Sequence, residues 1–193
     1  MKIQILAVML FISLYGCAFH SEPEDNQDFY QISRTSELAG VYKNTGDPSG
    51  YLSEIIWGHT KLNITPEVSH ADIEFIEVIS EDNSLIVKAI KNGCVIYEKP
   101  YIYGQDFKIS DGKIIIHRDT FLLSRGPGDV LAGPSYEQVT LGLDTAKHGK
   151  YRRSDYAAGL VLLLFPVAFS ETSDTRFERV NDKPAGFKSC GSR

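Results

Sequence analysis

Two dipeptides, Asn92-Gly93 and Asp111-Gly112, constrain the fold of this chain more than any other feature. Each stands between runs rich in β-branched and aromatic residues. A type I′ turn needs positive φ at both central residues, and Asn-Gly and Asp-Gly meet that demand at least steric cost. The flanking runs alternate. In "SLIVKAIK", Leu85, Val87 and Ala89 share one face, while Ile86, Lys88 and Ile90 share the other. That second face holds a lysine between two isoleucines, so either both faces are covered or Lys88 is a local exit to water. Together "DIEFIEVIS", the turn Glu81-Asp82-Asn83, "SLIVKAIK", "CVIYEKPYIY", "DFKIS" and "KIIIHR" predict a β-meander of about five strands from Asp72 to Arg118.

Further strand candidates lie on either side. "LAGVYKN", "YLSEIIWG" and "TKLNIT" precede the meander; "TFLLSR", "EQVTLGLD", "GLVLLLF" and "RFERV" follow it. Ala157 to Phe169 is the longest apolar stretch after the N-terminus. Pro166 breaks it, and it is too short to cross a bilayer as a helix, so a buried strand is expected there. No segment combines caps with the 3.6-residue period of a long amphipathic helix. The predicted class is all-β, a single antiparallel meander domain of about ten strands. A closed barrel would remove its exposed edges, whereas a two-sheet sandwich only manages them.

"LAGVYKN" resembles the opening Gly-x-Trp strand of lipocalin-like (calycin) barrels, with Gly40 and Tyr42 in the matching places and Tyr42 standing where that family has Trp. The resemblance implies a barrel rather than a sandwich. It also implies an arginine from a late strand packed across the Tyr42 ring, for which Arg176 and Arg179 in "RFERV" are the candidates.

The first residues speak to location. Lys2 is followed by an apolar run, Ile3 to Leu14. As a helix it would span about 18 Å, against roughly 30 Å of bilayer core. A positive start, a short apolar core and small residues at its end are the pattern of a secretory signal peptide. Leu14-Tyr15-Gly16-Cys17 resembles the lipobox of bacterial lipoproteins. That resemblance implies cleavage between Gly16 and Cys17, acylation of Cys17 and a membrane as partner; palmitate is among the chains such a cysteine carries. Two or more acyl chains anchor stably where one does not. Ala18, where inner-membrane retention in enteric-type bacteria uses Asp, implies the outer membrane facing the periplasm. The expected organisation is a signal peptide at 1–16, a lipid anchor and flexible acidic tether at 17–36, and the β domain at 37–193.

Composition narrows the function classes. The chain of 193 residues carries a formal charge of −5 without a dense basic stripe, which argues against nucleic acid as a partner. Export would put Cys94 and Cys190 where disulfides persist, so they either bridge or remain a buried strand thiol and a thiol in a tail. The five histidines form no HExxH or close metal spacing, and there is no GxSxG elbow and no phosphate-binding loop. No metal, cofactor or catalytic residue is nominated. "KHGKYRRSD" is the one basic cluster, read as a solvated loop or as a contact for lipid phosphates. Tyr42, Trp57, Phe75, Tyr97 and Tyr101 are the candidates for lining a pocket. The functional expectation is a non-catalytic envelope lipoprotein holding a lipid-like or apolar small molecule. The alternatives are a module that docks an envelope protein and, third, a hydrolase with an unrecognised site.

Overall fold

The computed structural model describes residues 17–58, 68–117, 121–123, 131–161 and 165–190. The expected signal peptide and "TKLNIT" lie outside them. In chain order the strands are β1 (Cys17–Ser21), β2 (Phe29–Tyr30), β3 (Gly40–Lys43), β4 (Phe75–Glu81), β5 (Ser84–Lys91), β6 (Cys94–Ile102) and β7 (Ile109–Ser110). They continue as β8 (Lys113–His117), β9 (Phe121–Leu123), β10 (Leu131–Asp144), β11 (Gly149–Val161), β12 (Phe165–Phe177), β13 (Arg179–Asn181) and β14 (Lys188–Ser189). Among the described residues one α-helix, α1 (Leu52–Trp57), lies between β3 and β4.

The chain divides into two units. The first comprises Met1–Ser21, Ile116–Val139 and Arg152–Ser173; the second comprises Glu22–Ile115, Thr140–Tyr151 and Asp174–Arg193. The second unit contains a six-stranded sheet in the order β13-β3-β4-β5-β6-β14. Its centre is the expected hairpin series, with Phe75 to Glu81 opposite Ile90 to Ser84 and β6 on the far side of β5. Asn92 and Gly93 have φ of 51° and 71°, and Asp111 and Gly112 have 49° and 68°, so both dipeptides make the turns their chemistry favours. Leu85, Val87 and Ala89 are buried as the alternation requires. The opposite face is covered as well. Ile90 is fully buried behind a bulge, and Lys88 reaches towards Glu77, a fully buried carboxylate that accepts the Gly186 N–H at 2.7 Å.

The other sheet runs β1-β12-β11-β10-β8-β7, with β2 and β9 also pairing β10. β10, β11 and β12 give residues to both units. All-β is therefore the fold, but the single antiparallel meander and the lipocalin-like closed barrel are not. β14 runs parallel to β6, and β1 runs parallel to β12. The meander stops at β6 because the C-terminal segment takes the next place at its edge, with Cys190 joined to Cys94 across a Cα separation of 5.4 Å.

Three local expectations change. "YLSEIIWG" is mostly α1 rather than strand, because Asn44 satisfies its first-turn donors: the Leu52 N–H bonds the Asn44 carbonyl and the Ser53 N–H bonds Asn44 Oδ1 at 2.8 Å. The apolar stretch Ala157 to Phe169 is divided between β11 and β12 instead of forming one buried strand, and Phe169 is exposed. The expected tether at 17–36 contains β1, β2 and the start of a short 3-10 turn (Thr35–Leu38), and Ile32 is buried with its N–H on the Gly112 carbonyl. An alanine at Gly112 would place its Cβ 2.6 Å from Gln31 Cα, so glycine is needed there for space as well as for φ.

Candidate functional site

The five residues expected to line a pocket are dispersed through the second unit. Tyr42 is buried on β3, its hydroxyl donating to the Leu38 carbonyl at 2.8 Å. Arg179 stands opposite Tyr42 in register, with its guanidinium carbon 5.6 Å from the ring centre. This is the arginine–aromatic contact anticipated from the sequence, within a sheet that does not close. Burial pushes the Tyr42 hydroxyl up to about 12, the nearby Arg179 charge opposing the rise. Trp57 at the end of α1 meets Tyr97 of β6 edge-on at 5.1 Å, and Tyr101 donates to the Ile56 carbonyl at 3.4 Å. Phe75 sits half-buried opposite Ile90. These aromatics fasten α1 and β3 to the sheet by edge contacts and ring burial.

Two polar constellations in the same unit have a chemical look and a structural role. Ser53 Oγ lies 2.9 Å from His70 Nδ1, but Ser53 is fully buried and its N–H is held by Asn44, which also donates to the His70 and Ile73 carbonyls. A nucleophile needs access to substrate, so this pair ties α1 to the short 3-10 turn His70–Asp72. Lys150, expected in a solvated basic loop, is 3% exposed. Its Nζ is 3.0 Å from Asp174 Oδ2, and it donates to Asn26 Oδ1 at 2.6 Å and to the Gln27 carbonyl. It thereby pins part of the expected tether.

The first unit holds the site that geometry favours. β10, β11 and β12 frame an open groove of about 320 Å³, at the small end of the ~300–1,000 Å³ range for ligand pockets. None of the five expected aromatics lines it. Its charged residues are Glu137 on β10, Arg153 and Asp155 on β11, and Glu171 on β12. Arg153 Nε is 2.8 Å from Asp155 Oδ2 and 3.3 Å from Glu137 Oε1. Tyr136, Tyr156 and Phe169 line the same groove and are 39%, 49% and 41% exposed, which is unusual for rings of that size. Burial raises the Asp155 carboxyl above its ordinary range; Arg153 pulls it down, while Glu137 and Glu171 push it up by repulsion.

One arginine among three carboxylates leaves the groove net negative, and the rings give it apolar walls. Such a surface suits a group that is cationic or rich in hydrogen-bond donors and carries apolar substituents. Among the described residues no His, Cys, Asp or Glu group is arranged to hold a metal ion. Among them, too, no helix is long and apolar enough to cross a membrane. The sequence carried one signal for this site: Asp155 and Glu171 are the charges that bracket its long uncharged stretch. Comparison with family models, curated proteins and solved structures finds no match.

Proposed function

We propose that this chain is a non-catalytic envelope lipoprotein that binds a lipid-like amphiphile with an ammonium-bearing head in the open groove of its first unit. The observation that carries the reading is the combination of three half-exposed rings with a net negative floor in that groove. The rings offer contact to acyl or glycerol carbons, and Glu137, Asp155 and Glu171 offer acceptors to an ammonium group. Lipidation of Cys17, residence in the outer membrane facing the periplasm and removal of residues 1–16 belong to the same proposal, resting on the lipobox. The Cys94–Cys190 bridge suits an oxidising compartment.

Such binding differs from that of an enclosed carrier, because the ligand would lie on a sheet rather than inside a barrel. Titration of the mature protein with short-chain phosphatidylethanolamine, followed by tyrosine emission, tests it. Saturable binding that weakens about tenfold in Glu171→Lys is expected, equivalent to ~1.4 kcal/mol. Binding that is absent, or indifferent to Glu171→Lys, would refute the amphiphile. The second reading, docking of an envelope protein, is favoured by the openness of the groove and would then take its place.

A further inference from the structure

We infer that residues 182–190 form a redox-operated strap, locked across the six-stranded sheet by the Cys94–Cys190 bridge and freed by a dithiol reductant. The inference goes beyond the groove, since all its residues belong to the second unit. Arg179 and Asn181 pair Tyr42 and Val41 of β3 at one edge of the sheet. Lys188 and Ser189 pair Cys94 and Val95 of β6 at the opposite edge. In the order β13-β3-β4-β5-β6-β14 the outermost strands are five spacings apart, about 24 Å at ~4.8 Å each. The seven steps from Asn181 to Lys188 reach about 23–25 Å at most. No length is left for a detour, so the segment crosses the face of the sheet. It touches that face through the Gly186 N–H, which donates to Glu77 Oε1 of β4 at 2.7 Å.

Apart from the bridge, little holds the strap down. Of residues 182–190 only Phe187 is half-buried, and the others are exposed. Its strand, β14, is two residues long. A segment with so short a ladder and so little buried apolar surface belongs to the low-stability end of a fold. The group beneath it gains from opening. Glu77 is fully buried, and among the described residues its Oε2 accepts no hydrogen bond. The Lys88 ammonium stands 3.9 Å from that oxygen and is shared with Glu98 at 3.6 Å. Lifting Gly186 away admits water to the carboxylate. The covalent link is therefore the lock.

Thiol–disulfide exchange opens it. A thiolate of the reductant attacks the sulfur of Cys190, which is the exposed partner, Cys94 being half-buried. The Cys94 sulfur leaves with the bonding pair and takes up a proton. The second thiol of the reductant then attacks the reductant sulfur of the mixed disulfide, and Cys190 leaves as a thiol. The protein gains two electrons and two protons, and the dithiol ends as an internal disulfide. The open state bares the start of β6 as a sheet edge. It also bares the row Glu77, Lys88 and Glu98, which stand opposite one another across β4, β5 and β6.

The test treats the full wild-type chain with dithiothreitol in the absence of denaturant. Alkylation followed by peptide mass reports the two thiols, and hydrogen exchange reports the strap. Alkylation of both Cys94 and Cys190 is expected, with exchange at residues 186–189 at least ~10-fold faster and the β4 and β5 amides still protected. A bridge that resists reduction until urea unfolds the sheet would overturn the inference. So would unchanged protection at 186–189 after reduction, or a loss that spreads equally over β4 and β5. Cys190→Ser should show the open pattern without reductant, and a closed pattern there would also count against the lock. None of these readings depends on whether the groove binds an amphiphile.

Discussion

Replacing Lys150 by methionine should cost this protein a fifth or more of its stability. The ammonium is 3% exposed and faces Asp174, whose side chain is fully buried. Its other contacts, Asn26 Oδ1 and the Gln27 carbonyl, satisfy the remaining protons. Lys150→Met keeps most of the volume and removes the charge, so the Asp174 carboxylate keeps the Asn26 amide at 2.8 Å and its other contacts but loses its counterion. Breaking a buried pair from one side costs about 3–5 kcal/mol, against a total of ~5–15 kcal/mol for a domain. At ~2–4 °C per kcal/mol for this size, the melting temperature should fall by roughly 6–20 °C. Lys150→Met/Asp174→Leu removes the uncompensated charge as well and should recover about 2–3 kcal/mol of the loss, near the upper end of coupling energies for contacting residues. Urea unfolding of the wild type, both single variants and the double variant, followed by circular dichroism, gives the cycle. A Lys150→Met protein within ~1 kcal/mol of wild type, or a double variant no more stable than that single one, would refute the claim that burial makes this pair mandatory.

Two further predictions concern the second unit. Cys94→Ser/Cys190→Ser opens a loop of 96 residues' separation and should lose up to about 4.7 kcal/mol by the chain-entropy model; a lowered urea midpoint with early loss of hydrogen-exchange protection at Lys188 and Ser189 is expected, and an unchanged midpoint would contradict it. Alkali should destabilise the fold through Tyr42, whose hydroxyl ionises at about 12 when folded against an ordinary 10. Below pH 10 both states hold the proton. Between 10 and 12 the unfolded chain releases it first, so roughly 2–3 kcal/mol is lost across that window at ~1.36 kcal/mol per pH unit. Tyr42→Phe should flatten that part of the alkaline unfolding curve, and an equally steep curve would count against the assignment.

What the sequence made legible was local. The Asn92-Gly93 and Asp111-Gly112 turns follow from φ preferences within two residues, and the β4–β5–β6 hairpins follow from alternation around them. Sheet edges were not legible, because distant segments decide them: β14 on β6 through Cys190, and β1 on β12. The α1 helix was missed for the same reason, since the cap that starts it is Asn44, eight positions before Leu52 and outside any local window. The groove escaped because Glu137, Arg153, Asp155 and Glu171 come from three strands, and the sequence marks only Asp155 and Glu171, as the charges that bracket an uncharged stretch.

Charge placement links these successes and failures. The rule that charged residues face water leaves Lys88 open between a covered face and an exit to water, and Lys150 between a solvated loop and a contact for phosphates; in the structure Lys88 reaches a fully buried Glu77 and Lys150 a fully buried Asp174. In the second unit a lysine enters the interior where a carboxylate more distant in the chain supplies its counter-charge, so partner geometry, not local pattern, sets burial. The first unit presents the converse. Tyr156 to Ser170 carries no charge over fifteen residues, and the rings of Tyr156 and Phe169 near its two ends are half-exposed. Apolar surface left open to water costs about 25 cal/mol per Å², so a chain that retains it must gain by covering it. An enclosed barrel would have covered it with its own residues, and these open sheets do not. Covering by a bound amphiphile, as proposed, would remove the same cost, with the carboxylates of Glu137, Asp155 and Glu171 as acceptors for its ammonium.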